Sequence, residues 1–312
     1  MSRQWQRNIR NSLKNAKQCN EFFNTQAFQT LNFPIKIPLE YAHLIDADNP
    51  DDPLLKQVKP DLSIANKNFS PSPLEDETYS PVPGLIHKYP NRVLLIASRV
   101  CAIHCQYCFR QNFDYEHHDA MSNLAQICDY IDADEKIDEV ILSGGDPLSL
   151  SDEKLTKLIN NIEQIPHIKT LRIHTRTAVV VPSRITQQLC DLLENTRLNV
   201  VVVLHTNHAR ELSCDFGQKI SELKNIKLLN QSVLLQGVND SAKVLEDLSK
   251  ALFDLGILPY YLHQLDKVSG SESFWVSDER AQAIHQKLKQ NLSGYLVPKL
   301  VRDENRSSKT WI

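Results

Sequence analysis

The strongest constraint on the fold is a series of short runs rich in β-branched residues, spaced regularly from residue 92 onward. The runs are Arg92–Ser98, Glu139–Ser143, Leu171–Thr175, Asn199–His205, Asn230–Leu235 and Leu258–Leu262. After the second run, successive runs begin about thirty residues apart, which is the length of one strand-helix unit. We therefore expect six parallel strands connected by helices.

The segments between these runs have the apolar spacing of amphipathic helices. In Ser151–Glu163 the apolar residues that share one helical face are Leu155, Leu158, Ile159 and Ile162. Ser151 is a suitable N-cap because its side-chain oxygen can accept a backbone hydrogen bond. Alternating strands and helices predict an α/β fold, with a parallel sheet covered by helices on its outer face.

The first ninety residues differ from this pattern. A polar, helix-compatible start from Arg3 to about Thr30 is followed by a proline-rich passage from Pro34 to Pro90, which is typical of an extended wrapping segment. We therefore predict an N-terminal helical and proline-rich extension over residues 1–90 and a core over residues 91–312. The extension is also a candidate for a contact between subunits.

Composition excludes several classes of function. The apolar fraction of 41% and charged fraction of 23% are ordinary for a globular protein. A net charge of −3 lacks the concentrated positive charge that nucleic acids and anionic membranes attract. No apolar stretch approaches the roughly 20 residues needed to span a bilayer, and no signal-peptide core follows Met1. These features predict a cytoplasmic protein.

Three of the seven cysteines lie within eight residues, directly after the first β-branched run. Cys101, Cys105 and Cys108 would leave one iron of a four-iron cluster without a cysteine ligand, and an open coordination position is typical of a reactive metal site. The alternative is a structural zinc site completed by His104, His117 or His118. The chain has no second Cys-x-x-Cys pair, which favours the cluster. The other cysteines, expected to be apolar fillers or surface thiols, are Cys19, Cys128, Cys190 and Cys214.

Polar residues follow five of the six runs. These stretches are the cysteine loop, Ser143-Gly-Gly-Asp-Pro147, His174-Thr-Arg176, His205-Thr-Asn-His208 and His263-Gln-Leu-Asp266. Because carboxyl ends of parallel strands share one edge of a sheet, we expect a ligand site there. Gly144 and Gly145 would let a ligand approach the backbone, although a plain turn is the simpler interpretation. His174, His205 and His208 are more typical of hydrogen-bonded structural histidines than of catalytic residues or metal ligands.

The loop Cys101-x-x-x-Cys105-x-x-Cys108, followed by Gly-Gly-Asp-Pro after the second strand, resembles the radical S-adenosylmethionine (SAM) superfamily. Within it, the chain resembles the lysine 2,3-aminomutase family from about residue 80 onward. The matching motifs are His87-Lys-Tyr-Pro-Asn-Arg-Val93, Ser143-Gly-Gly-Asp-Pro-Leu148, Asn230-Gln-Ser-Val-Leu-Leu-Gln-Gly-Val-Asn-Asp240 and Pro259-Tyr-Tyr261. The resemblance implies a partial (β/α)6 barrel with an N-terminal helical extension. It also implies an isomerase that converts α-lysine to β-lysine.

The resemblance also implies three cofactors and the residues that hold them. A [4Fe-4S] cluster would be bound by Cys101, Cys105 and Cys108. Positions that match SAM contacts are Gly144, Gly145, Asp146 and Gln231. Positions that match contacts to pyridoxal 5′-phosphate are Lys88, Tyr89, Arg92 and Lys309, and Lys309 would hold this cofactor covalently as the catalytic lysine. The family's lysine usually follows a glycine-rich turn, whereas this chain has Asn305-Arg-Ser-Ser308.

Substrate recognition in the family needs a cation for the α-carboxylate of lysine and an anion for its ε-ammonium group. Arg110 and Asp266 match these two positions, and Asp303 is a candidate second ammonium ligand. The simpler interpretations are that Arg110 only balances cluster charge and that Asp266 forms a surface ion pair. An anion at position 266 favours lysine over glutamate as the substrate.

The C-terminal residues Ser307-Ser-Lys-Thr310 resemble the short family members that supply β-lysine for modification of elongation factor P. The implied functional partner is then the ligase that transfers lysyl groups to that factor. Two alternatives stay open. One is an aminomutase that makes free β-lysine for metabolism, and the other is a non-enzymatic metal-binding protein.

Overall fold

A computed structural model describes residues 4–30, 33–60, 69–74, 76–303 and 310–311. In these ranges one nine-stranded sheet forms the centre of the protein, and the strands lie in space in the order of the chain. They are β1 (Leu85–Tyr89), β2 (Arg92–Ser98), β3 (Glu139–Gly144), β4 (Thr170–Thr175), β5 (Asn199–His205), β6 (Lys227–Leu234), β7 (Leu258–Gln264), β8 (Lys299–Arg302) and β9 (Thr310–Trp311). Strands β2 to β8 pair in parallel, whereas β1 and β9 are antiparallel edge strands.

All six strands expected from the β-branched runs are present, and the α/β class is confirmed. The sheet also contains three strands that we did not expect. Strand β1 lies inside the proline-rich passage, so that passage is not a purely extended wrapping segment. Strand β8 adds a seventh parallel strand beyond the predicted six. The division of the chain at residue 90 stays a prediction.

Helices connect the parallel strands. Helices also occur in the predicted extension over residues 1–90, which is called the N-terminal segment below. They are α1 (Gln4–Arg10), α2 (Ala16–Phe22), α3 (Leu39–Ala42), α4 (Pro53–Lys56), α5 (Leu124–Asp132), α6 (Asp152–Glu163), α7 (Thr177–Val180), α8 (Gln187–Glu194), α9 (Cys214–Ile220), α10 (Ala242–Asp254) and α11 (Asp278–Asn291). Ser151 caps α6 as expected, because its side chain accepts a hydrogen bond from the Lys154 backbone nitrogen. In the described ranges, no helix combines the length and apolar character that crossing a bilayer requires.

The main core lies between the sheet and the connecting helices. Strand residues such as Leu95, Leu142 and Ile173 are fully buried against helix residues such as Ile127 and Ile159. Burying a side chain of this size stabilises the fold by about 1.5–3 kcal/mol. This packing fixes the strand ends, which in turn position the polar loops at the carboxyl edge.

A second apolar cluster joins the N-terminal segment to the cysteine loop. Trp5, Ile37 and Tyr41 pack in one buried cluster with Ala102 and Ile103, which lie between the first two cysteines of the loop. The N-terminal segment therefore packs directly against the cysteine loop.

Candidate active site

The N-terminal segment holds the cysteine loop through its backbone. The His104 nitrogen donates to the Lys36 carbonyl at 2.9 Å, and the Gln106 nitrogen donates to the Gln57 carbonyl at 3.0 Å. Lys36 Nζ donates to the Cys101 carbonyl at 2.6 Å. The loop is thus fixed at three points along its length, which keeps its three thiols in a defined arrangement.

The three thiols lie close enough to influence one another's ionisation. Burial raises the pKa of Cys101, and the neighbouring Cys108 thiolate raises that pKa further. Burial also raises the pKa of Cys108 to about 12, with Cys105 adding to the effect. Three thiolates that repel one another require positive charge between them, and the iron ions of a cluster supply it. The donor set therefore fits an iron–sulfur cluster.

Each cysteine of the loop also has a different cation beside it, whose charge lowers the pKa of that thiol. The pairs are Lys36 with Cys101, Arg176 with Cys105 and Arg110 with Cys108. An iron–sulfur cluster with three thiolate ligands carries net negative charge, so buried cations around it are electrostatically favourable.

The histidines proposed for the zinc alternative have other partners. His104 Nδ1 lies 2.9 Å from the Pro34 carbonyl, and His117 and His118 both bond to Asp114. Among the described residues, no three His, Cys, Asp or Glu side chains converge on a position for a single metal ion. As expected of apolar fillers and surface thiols, Cys19 and Cys190 are buried, Cys128 is partly buried and Cys214 is exposed.

The two adjacent glycines pack against the start of the cysteine loop. A Cβ atom on Gly144, which has a φ of +110°, would lie 2.6 Å from the Ser98 carbonyl oxygen. A Cβ atom on Gly145 would lie 2.7 Å from the Val100 carbonyl oxygen. The absence of a side chain at both positions therefore lets the end of β3 lie against the loop, and the approach of a ligand to these glycines stays a prediction.

The Asp146 carboxylate points into the protein, toward the end of β4. It accepts hydrogen bonds from the backbone nitrogens of Leu148, Arg176 and Thr177 and from the Thr175 hydroxyl, at distances between 2.7 and 3.1 Å. Asp146 thus joins two neighbouring strand ends of the site. The contact with SAM that the resemblance implies stays a prediction for Asp146, for both glycines and for Gln231, which lies half-buried on β6 between His205 and Tyr261 in the sheet register.

Arg110 and Asp266 both lie near the last cysteine of the loop. Arg110 is buried, and its Nε donates to Asp76 Oδ2 at 2.8 Å. Burial lowers the pKa of Arg110, but Asp76, Tyr115 and Cys108 together raise it by more, so the net shift is upward. Asp266 is near enough to Cys108 to raise the pKa of that thiol. A cation and an anion therefore both act on the Cys108 thiol.

Asp76 is a site residue that we did not predict, because nothing in its proline-rich surroundings marks it. Its segment covers Arg110 and leaves a cavity of about 10 Å³, which is room for about one water molecule.

The residues expected to contact pyridoxal phosphate form a second group at the edge of the sheet. Lys88 Nζ forms an ion pair with Asp303 Oδ1 at 3.0 Å, and the Arg92 guanidinium lies 3.8 Å from the centre of the Tyr89 ring. The structure thus joins Lys88 to Asp303, which we had assigned to the substrate. Lys309 lies outside the described residues.

Two of the histidines at the carboxyl edge of the sheet, His205 and His208, take part in the hydrogen-bond network of the protein. His205 Nε2 lies 3.3 Å from the Tyr107 hydroxyl, and His208 Nδ1 accepts from the Arg210 nitrogen. Burial and the nearby Arg176 lower the pKa of His205 to about 3, although a hydrogen bond with Asn207 opposes them. These contacts agree with a structural role.

We expect His205 to make the protein sensitive to acid. Its pKa is about 6.5 in an unfolded chain and about 3 in the folded protein, so the unfolded state binds the proton more readily between these values. The free energy of unfolding should therefore fall as the pH drops from about 6.5, by up to about 1.4 kcal/mol per pH unit. When urea unfolding is repeated at several pH values, the free energy of unfolding of His205→Gln should depend less steeply on pH than that of the unchanged protein. The exposed control His43→Gln should keep the pH dependence of the unchanged protein. Equal pH dependence in His205→Gln and the unchanged protein would contradict the prediction.

The profile of the Radical SAM superfamily matches residues 95–213, a range that includes the cysteine loop and the ends of strands β2 to β5. Together with the parallel sheet and the three-cysteine loop at its carboxyl edge, this match defines the class as a radical SAM protein. The superfamily implies a four-iron cluster and SAM.

Three relatives then specify the family. An L-lysine 2,3-aminomutase from Haemophilus influenzae is 48% identical over 87% of this chain and 82% of its own length. Proteins of the same name from Buchnera aphidicola and Escherichia coli are 44% and 46% identical, over 96% and 87% of this chain and 89% and 80% of their own lengths. The chain belongs to the lysine 2,3-aminomutase family and is an isomerase.

Proposed function

We propose that this protein converts L-lysine to β-lysine by radical SAM and pyridoxal phosphate chemistry. The observation that carries the proposal is that buried Arg110 and Asp266 both lie close enough to Cys108 to shift the pKa of its thiol, in opposite directions. A cation and an anion beside the cluster loop match the two charged ends of a lysine molecule.

The proposed cofactor ligands are the residues that the sequence indicated. Cys101, Cys105 and Cys108 would hold the cluster, and Gly144, Gly145, Asp146 and Gln231 would contact SAM. The pyridoxal phosphate contacts would be Lys88, Tyr89, Arg92 and Lys309, with Lys309 as the covalent attachment. When bound, these groups supply the radical and the nitrogen carrier that amino-acid side chains lack.

The chain's own contribution is to orient the substrate and exclude water. Arg110 would bind the α-carboxylate, since a guanidinium forms strong charge-assisted hydrogen bonds with carboxylates. Asp76 and Ser143 support this role by holding the guanidinium in place from the side. Asp266 would bind the ε-ammonium group, and Asp303 would assist it. The buried position of Arg110 strengthens its interaction with a charged substrate.

The test of this proposal is an assay for β-lysine with reduced, cluster-loaded protein, SAM, pyridoxal phosphate and L-lysine. We expect β-lysine to accumulate, and we expect no β-amino acid when L-glutamate replaces L-lysine, because Asp266 would repel its side chain. Absence of β-lysine from a sample with full iron and sulfide content would rule out the aminomutase assignment.

We further propose that the β-lysine serves modification of elongation factor P in the cytoplasm. The Ser307–Thr310 sequence supports this role, and the alternative is supply of free β-lysine for metabolism. The two are separated by deleting the gene and measuring the mass of elongation factor P. Loss of a β-lysyl group from that factor is expected, and an unchanged mass would favour the metabolic alternative. Residues 1–90 are proposed as an extension that also offers a surface for homo-oligomer contact.

A further inference from the structure

Arg176 is a buried cation that lies beside the cysteine loop. It follows strand β4, and only 6% of its surface is exposed. Its Nη2 atom donates to Gln57 Oε1 and to Glu211 Oε2, both at 2.9 Å. Glu211 is fully buried, so Arg176 and Glu211 form a buried ion pair.

The guanidinium of Arg176 lies near two aromatic rings, one from the N-terminal segment and one from the cysteine loop. Its central carbon lies 5.7 Å from the ring centre of Tyr107 and 5.9 Å from that of Tyr41. Tyr107 lies between Cys105 and Cys108 in the loop, and its hydroxyl shares the Gln57 Oε1 acceptor with Arg176. The cation and the loop are therefore held by one hydrogen-bond network.

Two donors of Arg176 form no hydrogen bond of normal length with the side chains around it. Nε and Nη1 are both buried, and of the described residues only Tyr41 interacts with the guanidinium as a further hydrogen-bonding group, which raises the pKa of Arg176. Buried donors are costly when unsatisfied, and those of charged groups cost most. Among nearby charges, the Cys105 thiolate contributes most to raising the pKa of Arg176 against the opposing effect of burial. Cys105 is therefore the nearby group whose negative charge most favours the Arg176 cation.

We propose that Arg176 stabilises the reduced form of the cluster bound at Cys105 and so sets its reduction potential. This inference rests on the proposed cluster. Reduction transfers one electron from a low-potential one-electron donor to the cluster, and it makes or breaks no bond at Arg176. The added negative charge is favoured by a nearby buried cation and disfavoured by a nearby buried anion. Arg176 is therefore a positioning residue for electron transfer.

Because Arg176 and Glu211 form an ion pair, the proposal predicts reduction-potential shifts of opposite direction when one or the other charge is removed. Removing the charge of Arg176 should make the cluster harder to reduce. Removing the charge of Glu211 leaves Arg176 uncompensated, so the cluster should become easier to reduce. A purely structural role of the pair would not produce shifts in opposite directions.

The experiment is a redox titration of cluster-loaded protein, in which the reduced cluster is measured by electron paramagnetic resonance. At one fixed potential, Arg176→Gln should lower the ratio of reduced to oxidised cluster by about tenfold, equivalent to about 59 mV for one electron. Glu211→Gln should raise this ratio, and Arg176→Lys should keep it near that of the unchanged protein. Arg197→Gln is the matched control, since Arg197 bonds to carbonyls near the opposite end of the strands, and it should cause no shift.

Iron and sulfide content is measured first, because it separates a failure of the proposed function from a failure of the role proposed for Arg176. Failure of the unchanged protein to bind a cluster would overturn the proposed function. If the cluster is present, a potential that Glu211→Gln leaves unchanged or lowers would overturn the role of Arg176 alone. This second variant decides the question even if Arg176→Gln does not fold.

Discussion

Serine in place of Cys105 is expected to abolish aminomutase turnover while leaving the chain folded. A cluster held by three cysteines cannot lose one thiolate and keep both its attachment and its reactive iron, and serine is a poor replacement for a soft ligand. The backbone contacts that hold the loop, from Lys36 and Gln57, do not involve the Cys105 side chain and should persist. The measurements are iron and sulfide per chain and β-lysine formed.

The matched control is Cys214→Ser. Cys214 is exposed at the start of α9 and lies outside the cysteine loop, so this variant should bind iron and turn over as the unchanged protein does. A Cys105→Ser protein with full iron content and normal product formation would show that Cys105 is not a ligand.

Alanine in place of Asp146 should produce the largest loss of stability among the site variants. Its carboxylate is the acceptor for three buried backbone N–H groups and for the Thr175 hydroxyl. Leaving one buried donor unsatisfied costs about 1–3 kcal/mol, so we expect the free energy of unfolding to fall by at least about 3 kcal/mol. Urea unfolding measures this difference directly.

Asp146→Asn and Asp132→Ala complete this experiment. Asparagine keeps one carbonyl oxygen but turns an N–H group toward the remaining donors, so its effect should be intermediate. Asp132 is exposed at the end of α5, and its replacement should change stability by less than about 0.5 kcal/mol. A loss of similar size in Asp146→Ala and Asp132→Ala would mean that the Asp146 hydrogen bonds contribute little.

The strands of the core were predictable because their side chains carry the signal locally. Asn199–His205 is almost entirely β-branched or apolar, since both faces of a central parallel strand are buried. Strand β1, Leu85–Tyr89, is short, lies at an edge and belongs to the proline-rich passage, so its sequence resembles a loop. Strand β8 has only four residues. Their positions depend on pairing with β2 and β7, which local sequence does not contain.

The candidate site was predictable as a set of positions but not as a set of contacts. The cysteine loop, Arg110 and Asp266 follow strand ends, and parallel topology brings such ends together. The partners of Arg110 and Arg176, which are Asp76, Gln57 and Glu211, are separated from them by between 34 and 119 residues. Hydrogen bonds across such separations arise from tertiary packing, so the inward orientation of Asp146 and the buried ion pair emerged only from the structure.

The identity of spatial order and chain order in the sheet has a consequence for synthesis on the ribosome. Each new strand can pair with a neighbour that has already been made, so the sheet can grow by one edge at a time. The cysteine loop follows the second strand, whereas Asp266 follows the seventh. A nascent chain therefore has all its proposed iron ligands long before it has the residue proposed to bind the ε-ammonium group of lysine, and cluster insertion does not need to wait for a complete substrate site.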